Sequence, residues 1–201
     1  MKIRANRAYE IMGARIAQHA DLLRPWQGTG YRVTTLDYPS PQSILLGEGS
    51  FLYGGRWNAP GSFRAVYGSI DDMVAVAESR ANAEYAGIPF PFRTPRLLVT
   101  IEFNLRAVLD LTAVVTRKAL EIRLEELRAE DWRKVQSDGF ESFTQGLGRA
   151  VFGHGANGLL VPSARIAGGV NVVYLPQNRS EKEEATVCEP EKLERIRGKD
   201  L

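Results

Sequence analysis

Apolar residues along the chain recur at two spacings, the two-residue period of a strand and the three-to-four-residue period of a helix. Strand-like runs, rich in branched and aromatic residues, occur at 31–35, 51–53, 97–103, 158–162 and 170–175. The third run predicts a central strand with one apolar face, made of Leu97, Val99, Ile101 and Phe103. Because such runs alternate with helical segments, the sequence predicts a mixed α/β fold of the α+β kind, in one compact domain.

Helical spacing is found at 7–18, 70–86, 117–128 and 137–152. The second segment has the clearest start, because Ser69 and Asp72 have the spacing of a capping box. On this helix Glu78 would share the apolar face with Val74, Ala77, Ala81 and Tyr85. A carboxylate on that face needs a partner, so Glu78 is either a functional residue or half of a structural pair with a buried arginine.

The composition narrows the classes of function. The chain has 201 residues, and 26 basic residues against 24 acidic ones give a net charge of +2, so we expect neither direct nucleic-acid binding nor a membrane partner. The lone Cys188 excludes an intramolecular disulfide and a cysteine metal cluster, and two isolated histidines predict no metal site. No apolar run of the sequence approaches the ~20 residues of a spanning helix, which favours a cytoplasmic protein.

The most informative motif is Tyr-Gly-Gly-Arg-Trp-Asn at residues 53–58. Its two glycines allow a sharp turn that brings the main chain close to a ligand. Arg56 would then bind an anion through two parallel hydrogen bonds, beside the flat face of Trp57 or Tyr67. Arg56, Tyr67 and Glu78 recur at equal steps along the chain. The alternative is structural, with the glycines in a hairpin and Trp57 as a core anchor.

A second motif, Val-Pro-Ser-Ala-Arg at residues 161–165, is followed by Asn171. The order of the motifs resembles the RES-domain family, which is named for its arginine, glutamate and serine. The resemblance is carried by Tyr31-Arg32, 54–58 with Gly61, Tyr67, Ala77-Glu78, 161–165 and Asn171. It implies a catalytic domain at residues 30–178, with a helical lead at 1–29 and a charged segment at 179–201 packed on the same domain.

RES-domain proteins are found mainly as bacterial toxins of toxin–antitoxin modules, so the resemblance implies a fold related to ADP-ribosyltransferase toxins and an activity that destroys NAD⁺. The nicotinamide–ribose bond would be broken by phosphorolysis or by hydrolysis, with NAD⁺ as a substrate, no cofactor, and phosphate as co-substrate of the first route. Expected partners are a protein antitoxin of the helix-turn-helix type and a second copy of the chain in a homo-oligomer. Two alternatives are a mono-ADP-ribosyltransferase that modifies a host protein and a non-catalytic nucleotide-binding module.

The resemblance also implies a set of site residues. The catalytic residues would be Glu78, Arg56 and Tyr67, and the substrate-binding residues would be Arg32, Tyr53, Gly55, Trp57, Asn58 and Ser163. Glu78 would stabilise a ribosyl cation, and Arg32 and Arg56 would hold phosphate groups. Tyr67 would stack on nicotinamide, while Ser163 would donate a hydrogen bond to phosphate or ribose. Arg165 is expected in a surface position or a salt bridge.

Overall fold

The computed structural model describes residues 3–37, 40–88, 95–179 and 184–197, and the chain forms a mixed α/β fold in these ranges. Six strands are described: β1 (Leu23–Thr35), β2 (Val66–Ser69), β3 (Arg96–Asp110), β4 (Gly158–Pro162), β5 (Val170–Tyr174) and β6 (Ala185–Val187). The helices of the described ranges are α1 (Ala8–Gln18), α2 (Pro41–Leu46), α3 (Glu48–Tyr53), α4 (Asp72–Tyr85), α5 (Val114–Ala119), α6 (Leu124–Ala129), α7 (Trp132–Ser137), α8 (Phe143–Gly153) and α9 (Pro190–Arg197). The predicted fold class is confirmed.

The strands form a sheet in the order β1-β2-β5-β4-β3-β6. The two longest strands, β1 and β3, pair antiparallel along nearly their whole length. A further contact of β1, between Tyr31 and Ser69, joins it to β2, so that five strands close into a ring. The pairing of β3 with β4 is parallel and the other pairings are antiparallel. This closure places β1 and β2 side by side.

Both faces of the sheet are buried. Consecutive side chains of a strand point to opposite faces, and Val172 and Val173 of β5, each 0% exposed, therefore enter different apolar clusters. On one face, α1 and α8 contribute Ile16 and Leu147. On the other, α2 contributes Ile44. Burial on both sides explains why β4 and β5 are almost continuously apolar in sequence.

Four of the five predicted strands are confirmed. The segment 31–35 is the end of β1, 97–103 lies within β3, and 158–162 and 170–175 correspond to β4 and β5. The helix predicted at 7–18 is also confirmed, as α1. In the part of the chain that the structure describes, no helix combines the length and the apolar character needed to cross a membrane.

The strand predicted at 51–53 is wrong, because these residues form the last turn of α3. The backbone N–H of Gly54 donates to the Ser50 carbonyl at 2.8 Å, which is a helical hydrogen bond. Gly54 then ends the helix with a φ of +77°, in a region that favours glycine. Three apolar residues in a row do not distinguish a strand from one helical turn.

The single helix predicted at 117–128 is wrong as well, because the segment is divided between α5 and α6. The break lies at Glu121, whose φ of +51° is incompatible with a continuous helix. At the same place the Leu120 carbonyl accepts a hydrogen bond from Arg15 of α1 at 2.7 Å. A contact with a distant helix therefore replaces the local helical bond.

Two other helices start later than the sequence predicts, because other residues cap them. The segment 137–152 becomes helical only after Ser142, whose hydroxyl caps α8. The helix at 70–86 is confirmed as α4, but Asp71 caps it rather than Ser69. The side chain of Ser69 is thereby available for another contact.

The buried face of α4 also differs from the predicted one. Tyr85 is 58% exposed, and the buried residues of the helix are Val74, Ala75 and Ala83. Glu78 nevertheless lies on the covered side, where it is half-buried. Residue 78 is four positions from Val74 and three from Ala75, so helical geometry keeps these three side chains together.

The domain boundaries at residues 30 and 178 stay predictions. β1 crosses the first boundary, since it begins at Leu23. The lead also contributes buried residues, Met12 and Ile16 of α1, to the cluster that α8 covers. Its helix therefore shares a hydrophobic core with the sheet.

Helix α8 packs closely on the turn that follows α3, and this contact requires a glycine. A Cβ atom on Gly148 would lie 1.9 Å from the carbonyl oxygen of Trp57, whereas one on Gly153 of the same helix would meet only the Tyr9 hydroxyl, at 3.9 Å. We predict that Gly148→Ala lowers the free energy of unfolding by about 1–3 kcal/mol, since the main chain must move. Gly153→Ala is the matched control and should raise it by up to about 1 kcal/mol. Urea unfolding of both variants measures the difference, and equal stabilities would contradict the close contact.

Candidate active site

A cleft of about 470 Å³ opens between the sheet and α4. Its wall is built from β1, β2, α4, α7, the turn after α3 and the segment after β4. Of the predicted site residues, six border this cleft: Arg32, Gly55, Arg56, Trp57, Tyr67 and Glu78. The charged side chains among the described lining residues are Glu78 and five arginines, at 32, 56, 96, 133 and 165. The cleft is therefore suited to an anionic ligand.

Glu78 is held by two side-chain hydrogen bonds to one of its carboxylate oxygens. The hydroxyl of Ser163 donates to Oε1 at 2.7 Å, and the amide of Asn171 donates to the same atom at 3.0 Å. The Ser163 oxygen accepts the backbone N–H groups of Arg165 and Ile166 at 3.0 and 3.1 Å, so its one donor and both acceptors are used. Oε2 of Glu78 receives no hydrogen bond from the described residues and is available to a ligand.

The amide of Asn171 is oriented by a further residue, Ser69. The Ser69 hydroxyl donates to Oδ1 of Asn171 at 2.6 Å, which leaves the NH₂ group to face Glu78. Ser69 and Asn171 lie opposite each other in the pairing of β2 with β5, so the register of the sheet fixes their contact. Two strands therefore determine the direction of a carboxylate on a helix.

The Gly-Gly-Arg-Trp-Asn turn is shaped around the phenol of Tyr67. This hydroxyl donates to Oδ1 of Asn58 at 2.7 Å and accepts the backbone N–H of Trp57 at 3.0 Å. Gly55 leaves room for it, because a Cβ atom there would lie 2.4 Å from the hydroxyl. Burial raises the pKa of Tyr67, so the phenol stays protonated and keeps its donor.

The far side of the turn is held by two glutamines. Gln145 of α8 donates to the Gly55 carbonyl at 3.0 Å and to Oε1 of Gln136 at 2.8 Å. Gln136 of α7 in turn donates to the Tyr53 carbonyl at 3.0 Å. These bonds satisfy carbonyl groups that irregular backbone would leave unpaired. The start of the turn is thus attached to two helices.

Arg32 and Arg56 enter the cleft from different elements, and each uses only part of its hydrogen-bonding capacity. Arg32 of β1 donates to the Tyr67 carbonyl at 2.6 Å. Arg56 donates through one nitrogen to two carbonyls at the end of α6, at 3.1 and 3.3 Å. Burial lowers the pKa of both guanidinium groups, and the charge of Glu78 opposes this effect at Arg56. A guanidinium remains charged in a protein, so both are ready donors to an anion.

The RES domain profile matches residues 29–194 of the chain. The chain belongs to the RES domain family. It is 32% identical over 150 residues to proteins named NAD⁺ phosphorylase MbcT from Mycobacterium bovis and Mycobacterium tuberculosis, with 74% of this chain and 72% of each relative covered. A crystal structure of the M. tuberculosis MbcT–MbcA toxin–antitoxin complex superposes with a TM-score of 0.70 and 26% identity, over 94% of this chain and 98% of that chain. The resemblance drawn from the motifs is confirmed.

Some residues predicted to bind substrate in this RES domain lie away from the cleft surface. Tyr53 is 75% exposed at the end of α3 and does not border the cleft. Asn58 is fully buried and donates to two main-chain carbonyls, at 2.8 and 3.0 Å. Ser163 lies behind Glu78. Trp57 does border the cleft, but it is 2% exposed and belongs to the core, as the structural alternative for this residue predicts. Asn58 and Ser163 therefore affect the cleft through other residues.

Other residues of the RES domain border the cleft although the sequence analysis gave them no part in the site. Trp132 and Arg133 come from α7, in a segment to which the motifs gave no role, and Arg165 comes from the loop after Ser163. Arg165 is exposed as expected, yet it forms no salt bridge with a described residue. One sequence signal could have indicated that α7 borders the cleft. The Trp-Arg pair at 132–133 has the same two residue types as the Arg-Trp pair at 56–57.

We predict that Tyr67→Phe lowers the free energy of unfolding by about 1–3 kcal/mol, because it leaves a buried N–H of Trp57 and a buried oxygen of Asn58 without a partner. Tyr53→Phe is the matched control, since the Tyr53 hydroxyl is exposed and makes no hydrogen bond with the described residues. Chemical denaturation compares the two variants. A Tyr67→Phe protein as stable as the Tyr53→Phe protein would show that the phenol does not hold the turn.

Proposed function

We propose that this RES domain is an NAD⁺-degrading enzyme, which breaks the nicotinamide–ribose bond and transfers the ADP-ribosyl group to inorganic phosphate. The observation that carries the proposal is the oriented carboxylate of Glu78 in a cleft whose other described charged groups are arginines. NAD⁺ has the complementary pattern, with an anionic pyrophosphate and a positively charged nicotinamide ribose.

Cleavage of the nicotinamide–ribose bond requires stabilisation of a cation rather than a strong acid. Nicotinamide leaves as a neutral molecule, so its departure needs no proton, and the high-energy species is the ribosyl cation. Glu78 has its Oε1 fixed by Ser163 and Asn171 before substrate arrives. Its charge is therefore preorganised to stabilise that cation, or to accept hydrogen bonds from the ribose hydroxyls. Water in the same place would have to reorient during the reaction.

The remaining roles follow from where each side chain lies. Arg32 borders the cleft from β1 and would hold the pyrophosphate through donors that its bond to the Tyr67 carbonyl leaves unused. Arg56 borders the cleft from the turn that the Tyr67 hydroxyl holds, and it would contact a second phosphate. The Tyr67 ring forms part of the wall, and stacking on nicotinamide is its proposed contact. Ser163 acts on Glu78, because its only proton is donated to that carboxylate.

The biological role is supported by the relatives of the chain. The mycobacterial proteins it matches are named NAD⁺ phosphorylases, and the solved structure it resembles is a toxin–antitoxin complex. We therefore propose that this chain is a toxin that acts on cytoplasmic NAD⁺ and is held inactive by a protein antitoxin. The helix-turn-helix type of that antitoxin and a homo-oligomeric state of the toxin stay predictions.

We predict that Glu78→Gln reduces NAD⁺ turnover by at least about 10²–10³-fold, because the isostere keeps the volume and removes the charge that faces the cation. Glu84→Gln is the matched control, since Glu84 lies on the same helix and forms an exposed pair with Arg80 at 2.8 Å. Nicotinamide release from NAD⁺ in phosphate buffer measures the activity. In growing bacteria, induction of the wild type should deplete NAD⁺ and stop growth, whereas the Glu78→Gln protein should not.

Two outcomes would contradict the proposed function. Undiminished NAD⁺ loss by a folded Glu78→Gln protein would remove Glu78 from the reaction. Growth arrest by the wild type at normal NAD⁺ levels would favour ADP-ribosylation of a protein target. Identification of the products with and without phosphate separates phosphorolysis from hydrolysis, since only the first yields the 1-phosphate ester of ADP-ribose.

Ser163→Ala distinguishes positioning of Glu78 from direct substrate binding. If Ser163 positions the carboxylate, the variant should lose roughly 10–100-fold in kcat, the value of one hydrogen bond to a charged group, with the KM for NAD⁺ nearly unchanged. Steady-state kinetics over a range of NAD⁺ concentrations gives both constants. A raised KM with normal kcat would instead assign Ser163 to substrate binding.

A further inference from the structure

Three guanidinium groups of the cleft form a cluster without a paired carboxylate. Arg56, Arg133 and Arg165 all border the cleft, and no acidic side chain of the described residues lies within ion-pair distance of any of them. Elsewhere in the described chain, arginines such as Arg149 are paired directly, in that case with Glu141 at 2.7 Å. An unpaired group of three like charges is destabilising unless an anion joins it.

The guanidinium group of Arg133 is held by two aromatic rings and by a residue of α4. The central carbon of its guanidinium lies 4.6 Å from the centre of the Tyr85 ring and 4.3 Å from the centre of the Trp132 ring. It also donates one hydrogen bond to Oδ1 of Asn82 on α4. These contacts fix the plane of the group while its other donors make no hydrogen bond with the described residues. Preorganisation of this kind favours recognition of a planar or tetrahedral oxyanion.

Arg165 supplies a second, more accessible guanidinium. Its backbone N–H is fixed by the Ser163 hydroxyl at 3.0 Å, so its main chain is tied to the same serine that holds Glu78. Its side chain is exposed and makes no hydrogen bond with any residue that the structure describes. An anion entering from solvent would therefore meet Arg165 before the deeper groups.

The charges of these three groups act on one another. Burial is the first cause that lowers the pKa of Arg133, and the positive charge of Arg165 is the second. Arg133 and Arg165 both lower the pKa of Arg56 as well, after burial and against the opposing charge of Glu78. Arg32 is perturbed differently, because its pKa is lowered by burial and the neighbouring group that opposes this is Tyr67. By the elements that carry them, these four arginines fall into two groups, Arg32 on β1 and the cluster on the turn after α3, on α7 and on the loop after Ser163.

We infer that Arg133 and Arg165, with the unused donors of Arg56, form the subsite for the inorganic phosphate that accepts the ADP-ribosyl group, an inference that rests on the function proposed above. Glu78, the carboxylate that would face the ribosyl cation, borders the same cleft, and its charge acts on both Arg56 and Arg133. Arg32 is left for the pyrophosphate of NAD⁺. Two separate anion subsites are what a reaction between NAD⁺ and phosphate requires.

The step that this subsite serves is a substitution at the anomeric carbon of the ribose. An oxygen of hydrogen phosphate forms a bond to that carbon, while the carbon–nitrogen bond breaks and its electron pair leaves with neutral nicotinamide. The product is the 1-phosphate ester of ADP-ribose, which releases its remaining acidic proton to solvent. Without bound phosphate, water takes the same place and gives ADP-ribose.

The test measures KM for phosphate at saturating NAD⁺, and KM for NAD⁺ at saturating phosphate, in the folded variants Arg133→Gln and Arg165→Gln. Each variant should raise KM for phosphate about 10–100-fold, the loss of a charge-assisted hydrogen bond, with KM for NAD⁺ nearly unchanged. At a fixed phosphate concentration the share of ADP-ribose among the products should increase. Arg80→Gln is the matched control, because Arg80 lies on the exposed face of α4.

The outcomes separate this inference from the proposed function. A wild type whose NAD⁺ loss does not depend on phosphate contradicts phosphorolysis itself and the subsite with it. A phosphate-dependent wild type with unchanged KM for phosphate in both variants overturns the subsite alone. A raised KM for NAD⁺ with an unchanged KM for phosphate also overturns it, since the arginines would then bind the dinucleotide. If Arg133→Gln disturbs the fold of α7, Arg165→Gln alone tests the subsite, because the Arg165 side chain makes no hydrogen bond or ion pair with the described residues.

Discussion

The hydroxyl of Tyr67 makes the two hydrogen bonds on which the shape of the cleft depends. Tyr67 belongs to the regular strand β2, and its hydroxyl reaches into the irregular turn after α3. There it accepts the backbone N–H of Trp57 and donates to Oδ1 of Asn58. Irregular backbone has few internal hydrogen bonds, so its shape must be imposed from outside. Gly55 makes this possible by its missing side chain, and Gly148 does the same on the helix behind. The placement of Arg56 follows from this packing.

Three charged groups of the cleft each have some atoms that are hydrogen-bonded to the protein and others that are available to a ligand. Glu78 has one oxygen engaged by Ser163 and Asn171, and Arg32 and Arg56 each have one nitrogen engaged by main-chain carbonyls. Each group is therefore oriented by part of its hydrogen-bonding capacity and keeps the rest for a ligand. Partly buried charges without a full set of partners raise the free energy of the empty cleft, and a bound ligand of opposite charge would lower it again.

The sequence was informative where function depends on residue type and order, and less so where it depends on distant contacts. The motifs were enough to identify the family, and the apolar alternation in 97–103 was enough to place β3. The role of Ser163 was out of reach, because its hydroxyl direction depends on a helix 85 positions away along the chain. For the same reason α7 was missed: its contact with α4, between Arg133 and Asn82, spans 51 positions.

The short segment 51–53 shows the other limit of sequence analysis. A run of three apolar residues is compatible with a strand or with a turn of helix, and only the main-chain bond from Gly54 to Ser50 decides between them. The error did not affect the assignment of the motif, because a helix that ends at a glycine delivers the following turn as well as a strand does. The local structure of this segment was thus predicted wrongly, while the motif that follows it was identified correctly.

The amide of Asn171 has a consequence for how such a protein could lose its activity. An aspartate has nearly the same outline as an asparagine, and Ser69 would still donate to it. One amide-to-acid change on β5 would therefore set a second carboxyl group against Glu78, and the two would share a proton that Glu78 must lack, while the packing around them stayed the same. Under the proposed function, that protein would keep its outer surface and with it the recognition by an antitoxin. It would compete with the active toxin for the same inhibitor, as an inert decoy.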